Sequence, residues 1–420
     1  MPGIAFAIAH LRDRFAGSTL ILHDVDADAL DLQRRLTAAI LRSRGAPDVR
    51  VEATGERAHA IEGADLILSA FRPGGLRARR LDEQIAIEHG VIGQETAGPG
   101  GFAMALRSVP IVLDIAEEVR RVGAPGAVLL NYTNPIQIVS EAMARSGPTV
   151  PFVGLCDQTA GEEAFLGSLM GTDPAQIELD TAGVNHMTFS RAVRIGGRDR
   201  TEDVWARLDA VDRDEVADPG WWRVVVLFRE LRAVPSLYMQ YFRFHDEVLA
   251  EQRAKGRTRA EEVMALLPDV LTSYRREADA AYPMPSMARA SEEHGDFAIS
   301  IMAAMLTGLE HRAIVNLPNR GQLEDLPIGA IVETPALVHG RSIDPITQGG
   351  LPEEVRDLVR QVAEHARLTA EAAVTGDRDL AIRAMAAHPL VPSTDMATSL
   401  VDAYLDAHAA YLPAFERSLP

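Results

Sequence analysis

Short apolar segments alternate with helical patterns over the first 157 residues, and this alternation constrains the fold more than any other feature of the sequence. Residues 20–24 and 127–131 read as buried strands, whereas residues 28–42 have the periodicity of an amphipathic helix. Further strands are expected at 49–53, 65–69 and 152–155, and a further helix at 108–122. Because alternating strands and helices form a parallel sheet covered on both faces, the sequence predicts an open α/β domain.

The start of the chain lacks a part that such a domain normally has. An open parallel sheet that binds a dinucleotide begins with a strand and a glycine-rich turn. Here Met1-Pro2-Gly3 opens a segment that reads as the start of a helix. We therefore expect a Rossmann-like parallel sheet from which the first strand and most of its glycine-rich turn are missing.

The pattern changes after residue 157, where helical stretches dominate. Residues 196–218 are charged and weakly periodic, which favours a mobile or inserted loop, and residues 327–345 read as short strands joined by turns. Helices are expected at 296–309, 353–374 and 377–387. We predict a dinucleotide-binding domain at 1–157, followed at 158–420 by a mainly helical α+β domain for substrate, metal and oligomerisation.

Composition limits the classes of partner. The formal net charge of -18 argues against a nucleic-acid partner, because phosphate binding needs clustered cations, but a few local arginines can still hold an anionic substrate. Cys156 is the only cysteine, which excludes an intramolecular disulfide and fits a reducing compartment. No apolar run approaches the length of a membrane span, and no signal peptide is evident. We expect a soluble cytoplasmic protein without a membrane partner.

Cys156 and His186 each follow an apolar run and together offer a thiolate and an imidazole, ligands that suit divalent transition metals. A buried cysteine is more often structural than reactive, and a lone histidine is more often a core residue than a ligand. Asp157, next to Cys156, favours the metal interpretation because it offers a carboxylate or a general acid at the same strand end.

Polar residues near strand ends and glycine turns suggest where ligands bind. Asp24 ends the first readable strand, where a dinucleotide fold places its acceptor for the ribose hydroxyls, although it could instead serve the next helix as a cap. Residues 93–101 form a glycine-rich loop whose backbone amides can approach a ligand closely. Arg72 and Arg79 flank another glycine turn and suit a phosphate or carboxylate, or else a solvated basic face.

Two further segments supply candidate groups for a substrate. Asn134 follows a buried strand, and ligands bind outside the carboxyl ends of strands in open α/β sheets. Tyr238 and Tyr241 lie in an aromatic segment of helical spacing, for which core packing is the ordinary explanation. One of the two tyrosines could instead act as a general base, provided that a nearby cation depresses its pKa.

These motifs jointly resemble glycoside hydrolase family 4, the NAD- and metal-dependent glycosidases, over nearly the whole chain. The motifs are Gly74-Gly75, Gly93-Gln94-Glu95-Thr96, Gly100-Gly101, 131–135, Gly154-Leu155-Cys156-Asp157, Gly183-Val184-Asn185-His186, and 238–241 followed by His245-Asp246-Glu247. Segments 256–263 and 373–380 look most like the 6-phospho-β-glucosidase branch. The resemblance implies a fold of the lactate/malate dehydrogenase-like superfamily.

The resemblance also implies a reaction, the cleavage of a 6-phosphorylated β-glucoside with NAD and Mn2+ or another divalent metal. The family is an exception to the two-carboxylate scheme of glycoside hydrolysis. Hydride passes from C3 of the sugar to NAD, which acidifies the proton on C2. A tyrosine removes that proton, the aglycone leaves from C1 by elimination, water adds, and the hydride returns.

Roles for individual residues follow from the same resemblance. Cys156 and His186 are expected to bind the metal. Tyr241 is the expected base, with Tyr238 in reserve, and Asp157 is expected to assist the leaving group. The residues expected to contact NAD are Gly3, Asp24, Arg72 and Asn131. The residues expected to contact the substrate are Arg79, Asn134, Asn185 and Arg259.

Several alternatives stay open at this stage. Asp157 stands where many β-specific relatives carry Asn, so an α-linked glycoside is compatible with the same mechanism. Residues 292–298 stand where the branch carries Gly-Gly-Ala-Tyr-Tyr-Ser, so a non-phosphorylated glycoside is compatible as well. A 2-hydroxyacid-type dehydrogenase is compatible with the sheet and with Asn134. The missing first strand means either that the chain starts upstream of Met1 or that NAD binding is impaired, as in a cofactor-defective paralogue. The resemblance further implies a homodimer or homotetramer.

Overall fold

The computed structural model describes residues 2–288 and 292–416. Twelve strands lie in these ranges, in a two-stranded and a ten-stranded sheet. The strands are β1 (Thr19–His23), β2 (Arg50–Thr54), β3 (Leu66–Ser69), β4 (Val128–Asn131), β5 (Phe152–Leu155), β6 (Ile177–Val184), β7 (Met187–Ile195), β8 (Arg198–Asp199), β9 (Val234–Pro235), β10 (His311–Pro318), β11 (Ile331–His339) and β12 (Ser342–Pro345).

Eighteen α-helices surround the strands within the same described ranges. They are α1 (Pro2–His10), α2 (Arg12–Phe15), α3 (Ala27–Ser43), α4 (Arg57–Ile61), α5 (Gly75–Glu88), α6 (Gly100–Val122), α7 (Ile136–Ser146), α8 (Gln158–Met170), α9 (Thr201–Ala210), α10 (Pro219–Leu231), α11 (Gln240–Arg243), α12 (His245–Lys255), α13 (Arg259–Glu277), α14 (Glu292–Thr307), α15 (Arg356–Thr375), α16 (Arg378–Ala386), α17 (Thr394–Ala407) and α18 (Pro413–Glu416).

The parallel part of the fold is divided between the two sheets. β1 and β2 pair with each other, and the larger sheet has the order β3-β4-β5-β10-β11-β6-β7-β8. Five strands match the nucleotide-binding strand order 3-2-1-4-5-6. β2 and β1 correspond to strands 3 and 2 of that order, and β3, β4 and β5 correspond to strands 4, 5 and 6. Within residues 2–288 and 292–416 no strand corresponds to strand 1 of that order, which would pair with both β1 and β3. This topology agrees with the expectation drawn from the opening residues.

Helix α1 ties the small sheet to the rest of the molecule. It packs against α3 and α14, and Ile8 shares an apolar cluster with Leu41 and Ile299. The predicted helical start of the chain is therefore confirmed. The backbone of Gly3 lies so close to Gly295 that a Cβ atom at residue 295 would come within 2.3 Å of Gly3. Only glycine permits this approach of α14 to the first turn of α1.

The second half of the chain contains more strand than its sequence pattern predicted. β6, β7 and β10, each eight or nine residues long, join the same sheet as β3 to β5. The expectation of a mobile loop at residues 196–218 was wrong for its centre, which forms helix α9. Val204, Trp205 and Leu208 of that helix are buried in an apolar cluster, and this packing stabilises a helix whose periodicity is weak in the sequence.

The packing also crosses the predicted domain boundary at residue 157. Leu155 of β5 pairs with Val315 of β10, so the sheet continues from the first segment into the second. One apolar cluster joins Phe102 of α6 to Tyr404 of α17. The division into 1–157 and 158–420 stays a prediction about the order of elements along the chain. No helix in the described ranges is both long and apolar enough to cross a membrane.

Candidate active site

Two segments bring a thiol and an imidazole together at one edge of the sheet. Cys156 follows directly after β5, and His186 lies in the two-residue turn between β6 and β7. The Cys156 Sγ and His186 Nε2 atoms are 3.4 Å apart, and both side chains are buried. His186 has a left-handed φ of 64°, which residues other than glycine rarely adopt. Such a costly conformation at a buried pair of potential ligands is typical of a functional site.

The His186 ring is fixed on three sides. Tyr238 stacks on its face, with ring centroids 3.8 Å apart and an interplanar angle of 10°. Thr96, from the glycine-rich loop before α6, places its Oγ1 atom 2.6 Å from His186 Nδ1. Because Cys156 faces the remaining nitrogen, the ring has little freedom to rotate.

A buried carboxylate lies behind this pair. Glu333 of β11 is fully buried and accepts hydrogen bonds from Asn185 Nδ2 at 3.1 Å and from Asn316 Nδ2 at 2.9 Å. Strand register produces the contact, because Asn316 and Gly183 lie opposite Glu333 on the two neighbouring strands. Asn185, predicted as a substrate ligand, therefore directs its amide nitrogen towards Glu333.

Burial sets the protonation states of these groups. It raises the pKa of the Cys156 thiol well above its usual value, and the negative charges of Glu333 and Asp157 add to this effect. It lowers the pKa of His186 to about 3, so the imidazole is neutral at physiological pH. Burial also raises the pKa of Glu333 to about 7, against the hydrogen bonds donated by Asn316 and Asn185. A divalent cation between the two side chains would stabilise the thiolate and bind the neutral imidazole.

Tyr241 lies beside the same site, in a more cationic environment. Its ring centroid is 5.9 Å from that of Tyr238. Burial, with the charge of Glu83, raises the pKa of Tyr241, whereas Arg79, Arg223 and Arg259 lower it. Burial also raises the pKa of Tyr238, and the nearby Cys156 and Glu95 raise it further. The surroundings therefore favour the phenolate of Tyr241 over that of Tyr238.

Glu83 connects Arg79 to helix α13, which begins at Arg259. Buried Arg79 donates from Nε to Glu83 Oε1 at 2.7 Å and lies 3.2 Å from Glu95. The other oxygen of Glu83 accepts from the Ala260 amide at 2.8 Å, in the first turn of α13. Arg259 begins that helix and is exposed, with Nη1 3.1 Å from Glu262.

Asn134 offers an acceptor without a partner. Its Oδ1 atom is buried, and no hydrogen-bond donor reaches it within the described part of the chain. The hydroxyl of Tyr132, two residues earlier, is also buried. Buried polar atoms are normally hydrogen-bonded, so the free oxygen indicates a ligand or solvent partner. Burial raises the pKa of Tyr132, and the charge of Asp157, at the N-cap of α8, raises it further, so Asp157 faces the same region.

The predicted NAD residues lie in different environments. Asp24 follows β1, is exposed, and accepts a hydrogen bond from the Asp26 amide at 2.9 Å, while Asp26 itself caps α3. Gly3 lies in the first turn of α1, and its contact with NAD stays a prediction. Arg72 pairs with Glu95, close to the cysteine–histidine pair.

The side chain of Asn131 is hydrogen-bonded to the backbone of the turn that follows β4. Its Oδ1 accepts from the Thr133 amide at 3.2 Å, and its Nδ2 donates to the Thr133 carbonyl at 3.0 Å. Both ends of the side chain thus hold the turn after β4. A direct role of Asn131 in NAD binding stays a prediction, and the structure assigns the residue a part in shaping the turn.

The donor set fits a metal with open coordination positions. In residues 2–288 and 292–416 no group of three or more His, Cys, Asp and Glu residues could hold a metal ion. Cys156 and His186 would therefore supply two ligands and leave the remaining positions to substrate oxygens or water. Open positions are the mark of catalytic rather than structural metal sites.

Two residues near the site were not singled out from the sequence. Thr96 was part of the glycine-rich loop, but nothing in the loop pointed to His186. Glu333 lies in an otherwise apolar strand, Ile331-Val332-Glu333, where a single acidic residue is a signal that could have been used. Thr96 lies 90 residues from its partner His186 along the chain, and Glu333 lies 148 residues from its partner Asn185.

Comparison with known proteins agrees with this site. The model of the family 4 glycosyl hydrolases matches residues 2–172, and the model of the family 4 glycosyl hydrolase C-terminal domain matches residues 181–391. The chain therefore belongs to glycosyl hydrolase family 4, as its motifs predicted.

Individual relatives cover almost the full chain. It is 32% identical over 395 residues to a Bacillus subtilis (strain 168) protein named "Probable 6-phospho-beta-glucosidase", covering 92% of this chain and 88% of that one. A Thermotoga maritima 6-phospho-β-glucosidase, solved with manganese, NAD+ and glucose 6-phosphate, has 26% identity and a TM-score of 0.86, covering 98% and 96%. A 6-phospho-α-glucosidase from gut microorganisms, solved with NAD and glucose 6-phosphate, has 25% identity and a TM-score of 0.88, covering 98% and 96%.

The predicted fold is confirmed by a structural likeness to a dehydrogenase. Malate dehydrogenase from Plasmodium falciparum superimposes with a TM-score of 0.56 at 12% identity, covering 90% of this chain and 95% of that one. This likeness concerns the arrangement of strands and helices alone.

Proposed function

We propose that this protein is a 6-phospho-β-glucosidase that requires NAD and a divalent metal ion, with Mn2+ as the first choice. The observation that carries the proposal is the buried pair Cys156–His186, 3.4 Å apart, with Tyr241 beside it and near Arg79 and Arg259. Membership of family 4 and the relatives that are 6-phosphoglucosidases support the same activity.

The proposed reaction assigns one task to each side chain. When bound, NAD would supply hydride transfer at C3, and a divalent metal would supply a Lewis acid for the sugar oxygens. Cys156 and His186 would hold the metal. The phenolate of Tyr241 takes the C2 proton, and Asp157 protonates the oxygen that leaves C1. Asn134 orients the sugar through its free Oδ1 atom.

The charge around α13 suits a phosphorylated sugar. Lys255, Arg257 and Arg259 all lie within ion-pair distance of one carboxylate, Glu262. Three cations on one anion leave a net positive charge at the start of the helix, where anions are also favoured by the helix dipole. We assign the 6-phosphate to Arg259, with Arg79 on the inner side.

The test compares four p-nitrophenyl glucosides, the β and α anomers with and without a 6-phosphate. We expect release from the 6-phospho-β compound only, with a requirement for NAD, Mn2+ and a thiol reductant, and loss of release on chelation. Release in the presence of chelator, or unaffected by Cys156→Ser, contradicts the proposal. Faster release from the α anomer or from the compound without phosphate instead supports the alternative substrates.

An arginine substitution tests the phosphate assignment separately. Arg259→Gln removes a cation from the start of α13, and we expect KM for the phosphorylated substrate to rise by about tenfold or more, since charge-assisted hydrogen bonds contribute about 1.5–3 kcal/mol. Arg276→Gln is the matched control, because Arg276 is an exposed, ion-paired arginine in the last turn of the same helix. Equal effects of the two substitutions would contradict the assignment.

The NAD site is proposed from residues near the sheet edge. Asp24 presents an exposed carboxylate after β1, and a Cβ atom at Gly75 would meet no atom within 4 Å, so a ligand can approach that turn. Equilibrium dialysis with NAD measures the affinity directly. Absence of binding would favour the cofactor-defective alternative, and net accumulation of NADH with an organic acid would favour a dehydrogenase.

Location and assembly are proposals as well. We propose a cytoplasmic protein that forms a homodimer or homotetramer and binds no nucleic acid. Cell fractionation and light scattering check the first two statements, and a gel-shift assay checks the third.

A further inference from the structure

A chain of hydrogen bonds runs from Gln94 through the Thr96 hydroxyl to His186. Gln94 Oε1 accepts from the backbone amides of Thr96 and Ala97, the former at 2.7 Å. Because two N–H groups point at this atom, it is the carbonyl oxygen and not the amino group of the Gln94 side chain. The hydroxyl of Thr96 lies 3.0 Å from the same oxygen and is placed to donate its single proton to it.

The direction of that bond determines the proton on His186. When the Thr96 hydroxyl donates its proton to Gln94, its oxygen accepts from His186 Nδ1, 2.6 Å away. A neutral imidazole carries one N–H, so Nε2 retains its lone pair. This nitrogen is 3.4 Å from Cys156 Sγ. In this arrangement the nitrogen that faces the thiol keeps its lone pair for a metal.

We propose that Thr96 is a positioning residue, whose hydroxyl holds His186 as the Nδ1–H tautomer and directs Nε2 towards the metal beside Cys156. Tyr238 fixes the plane of the ring by stacking, and Thr96 fixes its rotation within that plane. Partners of this kind on metal-bound histidines usually change metal affinity by about 10–100-fold when they are removed. The inference rests on the proposed metal site, but the tautomer can be measured without any metal.

The first experiment records long-range 1H–15N spectra of the metal-free protein labelled at histidine, with His186→Gln used to assign the His186 signals. We expect the Nδ1–H tautomer in the unsubstituted protein and in Thr96→Ser, which keeps the hydroxyl. Thr96→Val keeps the shape but not the hydroxyl, and we expect the tautomer to become mixed or to change to Nε2–H. An unchanged tautomer in Thr96→Val overturns the inference.

The second experiment measures Co2+ binding by calorimetry and by the absorption band of the cobalt–thiolate pair. We expect Thr96→Val to bind Co2+ about 10–100-fold more weakly, with Thr96→Ser close to the unsubstituted protein. Thr181→Val is the control. It also removes a buried hydroxyl, which in the unsubstituted protein is hydrogen-bonded to Ser190 at 2.7 Å, away from the site. Affinities within threefold for Thr96→Val overturn the inference.

Two further outcomes keep the inference separate from the proposed function. If the unsubstituted protein binds no Co2+, the proposed metal site fails and the tautomer spectra alone decide the role of Thr96. If Thr96→Val does not fold, as judged by circular dichroism, Thr96→Ala replaces it and the same two readouts apply.

Discussion

At the scale of single residues, Tyr238 and Tyr241 show how similar side chains acquire different chemistry. They lie three positions apart, and burial raises the pKa of both. Arg79, Arg223 and Arg259 lower the pKa of Tyr241 against that burial. Tyr238 instead stacks on His186, and Cys156 and Glu95 raise its pKa further. The sequence predicted a base among these tyrosines but could not separate them by environment, because the arginines come from α5, α10 and α13.

Phenylalanine substitutions test this distinction. Tyr241→Phe removes the group proposed to take the C2 proton, and we expect kcat to fall by about 10²–10⁴-fold, the usual contribution of general base catalysis. Tyr238→Phe keeps the ring that stacks on His186, so its loss should be much smaller. The measurements are kcat and the exchange of solvent deuterium into C2 of the sugar.

The affinity for Mn2+ is the control for both variants, and it should change little, since neither hydroxyl is proposed as a ligand. Greater loss of C2 exchange in Tyr238→Phe than in Tyr241→Phe would reverse the assignment of the base.

At the scale of elements, local periodicity predicted most of the first half and less of the second. Strands β1 to β5 and helix α3 lie within a residue or two of their predicted bounds. β6 and β7 were missed, although Ile177-Glu178-Leu179-Asp180 alternates apolar and acidic residues. The acidic residues are stabilised by Arg194 on the neighbouring strand, a contact that exists only once the strands pair.

Two buried histidines between α15 and α16 give the helices a pH-dependent contact. His365 Nδ1 lies 2.7 Å from the Ala384 carbonyl, and the His365 and His388 rings are 4.7 Å apart. Burial lowers the pKa of His365 from its usual value of 6.5 to about 4. The unfolded chain therefore takes up a proton before the folded one does, and stability that is present above pH 6.5 is lost as the pH falls towards 4.

We expect His365→Gln to reduce this loss. The free energy of unfolding of the unsubstituted protein should fall between pH 7.5 and 5.5 by about 1.5 kcal/mol more than that of the variant, from the difference between the two pKa values. Urea denaturation at both pH values measures it. His10→Gln, at an exposed histidine of α1, should leave the pH dependence unchanged. An equal pH dependence of His365→Gln and the unsubstituted protein would contradict the prediction.

At the scale of the whole molecule, buried charges connect the first and last parts of the chain. Arg107 of α6 donates to both oxygens of Asp82, at 2.9 and 2.6 Å, and His408 lies 2.7 Å from the same carboxylate. The hydroxyl of Tyr404 in α17 donates to the Asp82 carbonyl at 3.0 Å. The C-terminal helices thus pack on α5 and α6, and the predicted division at residue 157 does not separate two cores.

Breaking this network should destabilise the entire fold. Arg107→Met leaves a buried carboxylate without its main partner, and we expect the free energy of unfolding to fall by about 3–5 kcal/mol. Arg120→Met is the control on the same helix, since Arg120 is exposed and should cost less than about 1 kcal/mol.

Two probes should report the same transition, namely far-ultraviolet circular dichroism and the fluorescence of the three tryptophans, all within residues 205–222. A tryptophan transition that Arg107→Met leaves unchanged would show that the two halves unfold independently.

The sequence by itself determined the α/β alternation, the missing first strand, the family and the identity of the Cys156–His186 pair, because periodicity and motifs are local properties. The tertiary structure alone decided which distant groups surround that pair. Thr96 contacts His186 from a loop 90 residues away along the chain, and Glu333 contacts Asn185, the neighbour of His186, from a strand 148 residues away. Such contacts depend on strand register and helix packing, which fix angstrom-scale distances that no local pattern encodes.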